Sequence, residues 1–341
     1  MTDPVLSVLD LSIVGRGSTP SDALDGSRRL AQEAERLGFH RYWVAEHHNM
    51  PGIASSSPPV LIAHLAAHTT TLRLGSGGVM LPNHSPLVVA EQFGMLEALH
   101  PGRIDLGLGR APGTDGLTAA ALRRTNRFDA EEEFPRQLGE LLAYFQGTFP
   151  DDHPFKAIHA TPGRGYMPDV WLLGSSLYSA QLAGMLGLPF SFAHHFSGEN
   201  TEAAVAAYRE AFDPDGVLDA PYVMLGVNVL CAPTFDEARY LAGPGKLAMA
   251  RLRSGRPDVY PTPEEAAAHE FSPQEEATAR SWGRHHVIGP PEAVRAGLVD
   301  LAERTGADEL MVTTMTHGLE ERLRSYRLVA EAMDLKPLAA A

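Results

Sequence analysis

Cysteine is nearly absent: Cys231 stands alone among 341 residues, so the chain has no disulfide framework and no thiolate metal centre, as befits a reducing cytosol. Positive charge is also scarce. With 28 Lys and Arg against 42 Asp and Glu, the net charge is -14, which argues against general attraction to nucleic acid or to anionic lipid. No apolar run approaches the roughly 20 residues of a membrane-spanning helix. No basic segment leads into an apolar one at the start, so the expected location is the cytoplasm. The rest of the composition, 44% hydrophobic and 21% charged, is that of a globular chain able to bury a large core.

The order of the chain is a repeated alternation. A β-like run at 5–14 ends in a Gly- and Pro-containing stretch, and a helix from about Ser21, a suitable cap, runs to Leu37 and stops at Gly38. Further strands are expected at 40–45, 72–76, 104–108, 170–173, 189–193, 223–231 and 309–313. Helices are expected at 59–68, 87–99, 129–146, 177–186, 199–212 and 318–333. The first four units recur about every 30 residues, the rhythm of right-handed parallel crossovers. Eight strands alternating with helices predict a (β/α)8 TIM barrel in a single domain, with an open doubly wound sheet as the alternative. The rhythm breaks between strands 7 and 8, where 234–283 is helical and Pro-rich, a long insertion of the kind that forms lids.

In such a barrel, ligands sit at the C-terminal ends of the strands. Tyr42-Trp43-Val44-Ala45 runs directly into Glu46-His47-His48-Asn49, which places a polar cluster there; a helix cap with surface histidines is the alternative. Gly75-Ser76-Gly77-Gly78 follows strand 3, where glycines leave room for a flat ligand. Gly107-x-Gly109 after strand 4 imitates a dinucleotide turn, but Pro112 occupies the third position and denies the close helix packing a glycine would permit. Arg110, in that glycine-rich bend, suits a phosphate or an electron-rich ring, or else an ion pair with a carboxylate. Gly174-Ser175-Ser176 offers backbone N–H groups, two hydroxyls and a helix N-terminus, an anion site or an ordinary cap. The pairs His47-His48, His194-His195 and His285-His286 suggest a metal centre, but neighbours on an extended strand face opposite ways, so no metal is expected.

Four stretches taken in order, Trp43 to Asn49, Gly75 to Pro82, Pro101 to Arg110 and Leu172 to Ser176, resemble the bacterial luciferase-like flavin-dependent monooxygenase family, over nearly the whole chain. The resemblance implies a (β/α)8 barrel holding FMN at the strand C-termini, usually as a homodimer. It implies that His47 assists the chemistry and that a non-proline cis peptide beneath the isoalloxazine falls at Gly77-Gly78. Arg110 would contact the flavin or its phosphate, and Gly174, Ser175 and Ser176 would grip the phosphate, with Tyr178 as a further candidate. The light-emitting member has an acidic residue where this chain has Gly174, a cysteine where it has Gly109 and a tryptophan where it has His194, which speaks against aldehyde oxidation with light. The expected activity is oxygenation of a small organic substrate, such as one of secondary metabolism, by O2 and reduced FMN through a C4a-peroxyflavin. A separate reductase would supply the reduced flavin. Relatives that use the deazaflavin F420 for hydride transfer, and a flavin-binding protein without turnover, are the rival readings.

Overall fold

The computed structural model describes residues 3–123 and 133–337. In chain order the elements are β1 (Val5–Asp10), α1 (Pro20–Leu37), β2 (Arg41–Val44), α2 (Pro58–Ala66), β3 (Arg73–Met80), α3 (Pro86–Leu99), β4 (Ile104–Gly109), α4 (Gly116–Arg123) and α5 (Phe134–Gln146). They continue with β5 (Asp169–Gly174), α6 (Leu177–Met185), β6 (Phe190–Phe192), α7 (His194–Ser197), α8 (Thr201–Glu210), β7 (Val223–Cys231) and α9 (Phe235–Arg253). The last are α10 (Pro263–Ala268), α11 (Pro273–Gly283), β8 (Val287–Gly289), α12 (Pro291–Thr305), β9 (Glu309–Thr313) and α13 (Leu319–Ala332).

All pairings between these strands are parallel, in the order β6-β5-β4-β3-β2-β1-β9-β7, and β6 pairs with β7 to close the barrel. The eight strands expected from the sequence are the eight staves. A ninth, β8, was not foreseen: it pairs only with Val229–Cys231 at the top of β7, above the barrel wall. Three residues are too few to show a period of 2, so no pattern announced it. The β-like run at 5–14 is a strand only to Asp10, after which Ile13 and Gly15 make single bridges to Ile53 and Tyr260. The cap of α1 is Thr19, not Ser21: Thr19 and Asp22 form a reciprocal capping box, and Gly38 closes the helix at φ +91°. The expected helix 129–146 is seen from Phe134; residues 129–132 lie outside those described.

Two apolar layers follow from the strand period. Side chains pointing outward, such as Val8, Val44, Leu74 and Leu106, pack under the helices. Those pointing inward, among them Leu9, Trp43, Trp171, Met224 and Met311, fill the barrel. All nine residues of β7 are buried, which explains its unbroken apolar run. Trp43 and Trp171 meet edge to face at 5.2 Å.

The barrel floor is ionic. Asp105 accepts from Arg41 at 2.8 Å, from Trp43 Nε1 at 2.8 Å and from Arg73 at 2.6 Å. Glu309 accepts from Arg41 at 2.8 Å, from Tyr222 at 2.9 Å and from Ser7. The network closes the N-terminal end and leaves the opposite end as the mouth. The insertion reaches across that mouth: Tyr260 exchanges backbone hydrogen bonds with Val14 and Arg16 at 2.8 Å each, and Arg16 pairs with Asp258 at 2.6 Å.

Because Asp105 is fully buried and shared by two arginines, Asp105→Asn removes one of the two carboxylates that each arginine meets, leaving Glu309 for Arg41 and the exposed Asp169 for Arg73. Urea unfolding should show a loss of about 3–5 kcal/mol; a loss under about 1 kcal/mol would mean the floor network contributes no more than a surface pair.

Candidate active site at the barrel mouth

Beyond Val44 the chain turns through Ala45 and Glu46 to His47, and this turn ties three strand ends together. Glu46 is wholly buried. Its Oε1 accepts from His48 Nε2 at 2.9 Å and from His84 Nε2 at 2.8 Å, and its Oε2 from the Met80 N–H at 3.1 Å. Burial acts to raise its carboxyl, but the bonds from His84, His48 and Met80 outweigh it and hold the group below the usual carboxylate value. His48 is thus occupied with Glu46, while His47 lines the mouth.

His47 Nδ1 stands 3.0 Å from the Gly113 carbonyl. A carbonyl only accepts, so Nδ1 carries the proton. Burial lowers the pKa of the ring despite that bond, so at neutral pH His47 is an uncharged imidazole whose Nε2 is free to take a proton.

The mouth is a cavity of about 280 Å³, near the small end of ligand sites. Its walls are mostly apolar, with Leu9 and Leu11 from β1 and the chain just after it, Trp43 from β2 and Met311 from β9. Much of the rest is bare backbone. The Gly77-Gly78 peptide is cis, a Cβ at Gly78 would lie 2.8 Å from the Gly107 carbonyl oxygen, and one at Gly174 would lie 2.3 Å from Ser179 Cβ. Glycine at 174 is therefore a packing requirement of β5 against α6. One edge is polar: Arg110, Ser175 and Ser176 line it, and Ser176, at the N-cap of α6, makes no side-chain bond to the helix it precedes. Ser176 thus does not act as the ordinary cap that was the alternative to an anion site.

Of the residues singled out from the sequence, His47, Gly77, Gly78, Arg110, Gly174, Ser175 and Ser176 all line this one cavity. Tyr178 does not; its ring lies under the Arg110 guanidinium, 4.6 Å from centroid to Cζ, and holds that side chain from below. Sequence reasoning missed His195, Gly226, Met311 and Thr313, which complete the wall. Met311 and Thr313 could have been found, since they stand two apart on a strand whose end was already placed at the mouth. The ring of His195 lies where a Cβ of Gly226 would be, at 2.7 Å, a contact that no sequence pattern records.

The other histidine pairs converge. His194 and His285 meet edge to face at 5.3 Å, His194 Nδ1 lies 2.7 Å from Thr201 Oγ1, and His286 Nε2 accepts from Asn228 Nδ2 at 2.8 Å. Among the described residues no three metal-ligating side chains gather at one point.

The fold and this cavity define a barrel with a small-molecule site at the C-terminal ends of its strands. The chain belongs to the luciferase-like monooxygenase family, whose pattern matches residues 6–309. A protein described as luciferase-like monooxygenase from Escherichia coli strain K12 is 46% identical over 338 residues, covering 98% of each chain. The N-acetyl-S-alkylcysteine monooxygenase of Bacillus subtilis strain 168 is 37% identical over 331 residues, covering 96% of this chain and 98% of its own. Among solved structures, apo-MsnO8 superposes with a TM-score of 0.88 at 40% identity, covering 98% of this chain and 100% of its own. More distant structures share the fold. One is the oxygenating constituent of 3,6-diketocamphane monooxygenase from Pseudomonas putida in complex with FMN, with TM-score 0.73, 18% identity and coverage of 97% of each chain. Another is an F420-dependent secondary alcohol dehydrogenase, with TM-score 0.70, 15% identity and coverage of 98% and 99%.

Burial, with neighbouring imidazoles adding to it for His194 and His286, pushes His194 and His195 down to about 4 and His286 to about 3. Their folded pKa values lie below the unfolded one, so between pH 6.5 and 4 the unfolded chain binds protons that the native one refuses. Their contribution is complete above pH 6.5 and is lost as the pH falls. From pH 7.5 to 5.5, three such groups should remove on the order of 4 kcal/mol from the unfolding free energy measured in urea; a flat profile over that window would show that they titrate freely.

Proposed function

We propose that this chain is an FMN-dependent monooxygenase: it takes up reduced FMN from a separate flavin reductase, admits O2, and transfers one oxygen atom to a small organic substrate while the other leaves as water. The observation that carries this reading is the cavity itself, in which a neutral His47, a bare glycine floor and a cationic, hydroxyl-bearing edge face one another. A planar ring with a phosphate tail matches that distribution of apolar and polar surface. Arg110, Ser175, Ser176 and the first N–H groups of α6 would hold the phosphate, and Gly77, Gly78 and Gly174 would give the ring its space. Reduced flavin, when bound, supplies the two electrons that oxygen activation needs. His47 accepts or returns a proton at Nε2, its ring held by the Gly113 carbonyl.

The apolar wall excludes water, which limits the loss of oxygen as hydrogen peroxide. On the same reading, the segment 234–283 is the lid, anchored by the Tyr260 hydroxyl on the Met315 carbonyl at 3.0 Å, and the enzyme works as a homodimer in the cytoplasm. The relative that acts on N-acetyl-S-alkylcysteines points to a thioether as the group oxygenated. The F420 alternative rests on likeness of fold alone.

Two affinities and one rate test the assignment. FMN should bind at least about tenfold more tightly than riboflavin, because one charge-assisted phosphate contact supplies that much. His47→Ala should keep FMN affinity within about threefold yet cut oxygenation about 10²–10⁴-fold, diverting O2 to hydrogen peroxide. His48→Ala, whose ring is turned to Glu46, should cost less than tenfold, roughly the value of one hydrogen bond. Equal affinity for FMN and riboflavin would remove the phosphate site, and unchanged turnover in His47→Ala would leave a flavin carrier.

A further inference from the structure

A second cavity, about 420 Å³, lies beside the mouth, between α9 and α11 of the insertion and the ends of β7 and β8. The two adjoin. Met315 lines both, and Gly226 and Asn228, two residues apart on the same face of β7, line the first and the second respectively. A molecule seated in the second cavity therefore lies next to the first, across Asn228 and Met315.

The second cavity is cationic in a chain whose net charge is -14. Lys246, Arg239, Arg280 and Arg284 line it against a single carboxylate, Glu276. That carboxylate is shared, 2.8 Å from Lys246 and 3.8 Å from Arg280. Arg239 stands 3.8 Å from Asp236, and Arg284 pairs with Glu199 on the surface. Exposed pairs of this kind are weak and give way to a better anion. Deeper in, two polar groups lack partners. Asn228 is only 5% exposed; its Nδ2 donates to His286, but no donor meets its Oδ1. Trp282 Nε1 likewise meets no acceptor. Leaving a buried polar atom unpaired is costly, and an amide carries one N–H and one C=O, the partners that these two atoms lack.

We propose that this cavity seats the non-reacting end of the organic substrate and selects a small carboxylate anion that carries an amide. The proposal rests on the monooxygenase reading for the meaning of "substrate", but not for the binding itself.

Calorimetric titration of the FMN-loaded protein with N-acetylmethionine, and with its uncharged counterpart N-acetylmethioninamide, tests it. The anion should bind at least tenfold more tightly. Lys246→Met should weaken the anion about tenfold and leave the uncharged ligand within twofold. Gly283→Leu should block both ligands and leave FMN affinity unchanged, since Gly283 lines the cavity and a Cβ there meets no heavy atom within 4 Å. Equal affinity for the charged and uncharged ligands overturns the proposal, as does absence of binding, anion binding that survives both substitutions, or displacement by inorganic phosphate at lower concentration than by carboxylate. If FMN fails to bind, the monooxygenase reading falls instead, and the same titrations on the flavin-free protein still decide the cavity.

Discussion

The site depends on one buried carboxylate. Glu46 gathers His48, His84 and the Met80 N–H around its two oxygens, which locks the chain leaving β2 to the turn that follows β3. Its backbone adds a third element: the Glu46 carbonyl lies so close to Gly113 that a Cβ there would sit 2.8 Å from it, and the Gly113 carbonyl in turn fixes the His47 ring. Three strand ends thus act as one rigid rim. Without that rim, the tautomer of His47 and the position of the 77–78 floor would both be free to vary. The ionic floor of the barrel serves the same end from below, since Arg41 and Trp43, bonded to Asp105, set the strand from which Glu46 and His47 emerge.

Charge is distributed to match. An acidic chain nevertheless lines both cavities with cationic side chains: Arg110, held over Tyr178, in the first and the group around Lys246 in the second. An anion approaching this molecule meets general repulsion and two local attractions. Burial lowers the pKa of His47, His195 and His286, so these histidines are uncharged at neutral pH. On the proposed reading, binding draws on fixed charge and chemistry on a base of adjustable protonation.

Much of this was legible in the sequence because it is local. Each of His47, Gly77, Gly78, Arg110 and Ser175 lies within a few residues of the end of an apolar strand, and the barrel rule turns that position into a place at the mouth. The eight staves were legible because they are short apolar runs alternating with helical stretches, the first four recurring about every 30 residues. What could not be read is what depends on distant partners. Thr19 displaced Ser21 as a cap because Asp22 completes its capping box. The three residues of β8 gain their strand character only from Val229–Cys231. His194 and His285 are far apart in the chain, and nothing in either pair announces that their rings meet. Asn228 looks like a stray polar residue inside a buried strand until the neighbouring cavity is seen.

The central claim is that the mouth is built for a flavin with a terminal phosphate. Its most direct test is competition: the purified chain is incubated with equal concentrations of FMN and F420, freed of unbound material, denatured, and the released cofactor is identified by mass and absorbance. The account predicts FMN at about one molecule per chain. Recovery of F420 in its place would contradict it.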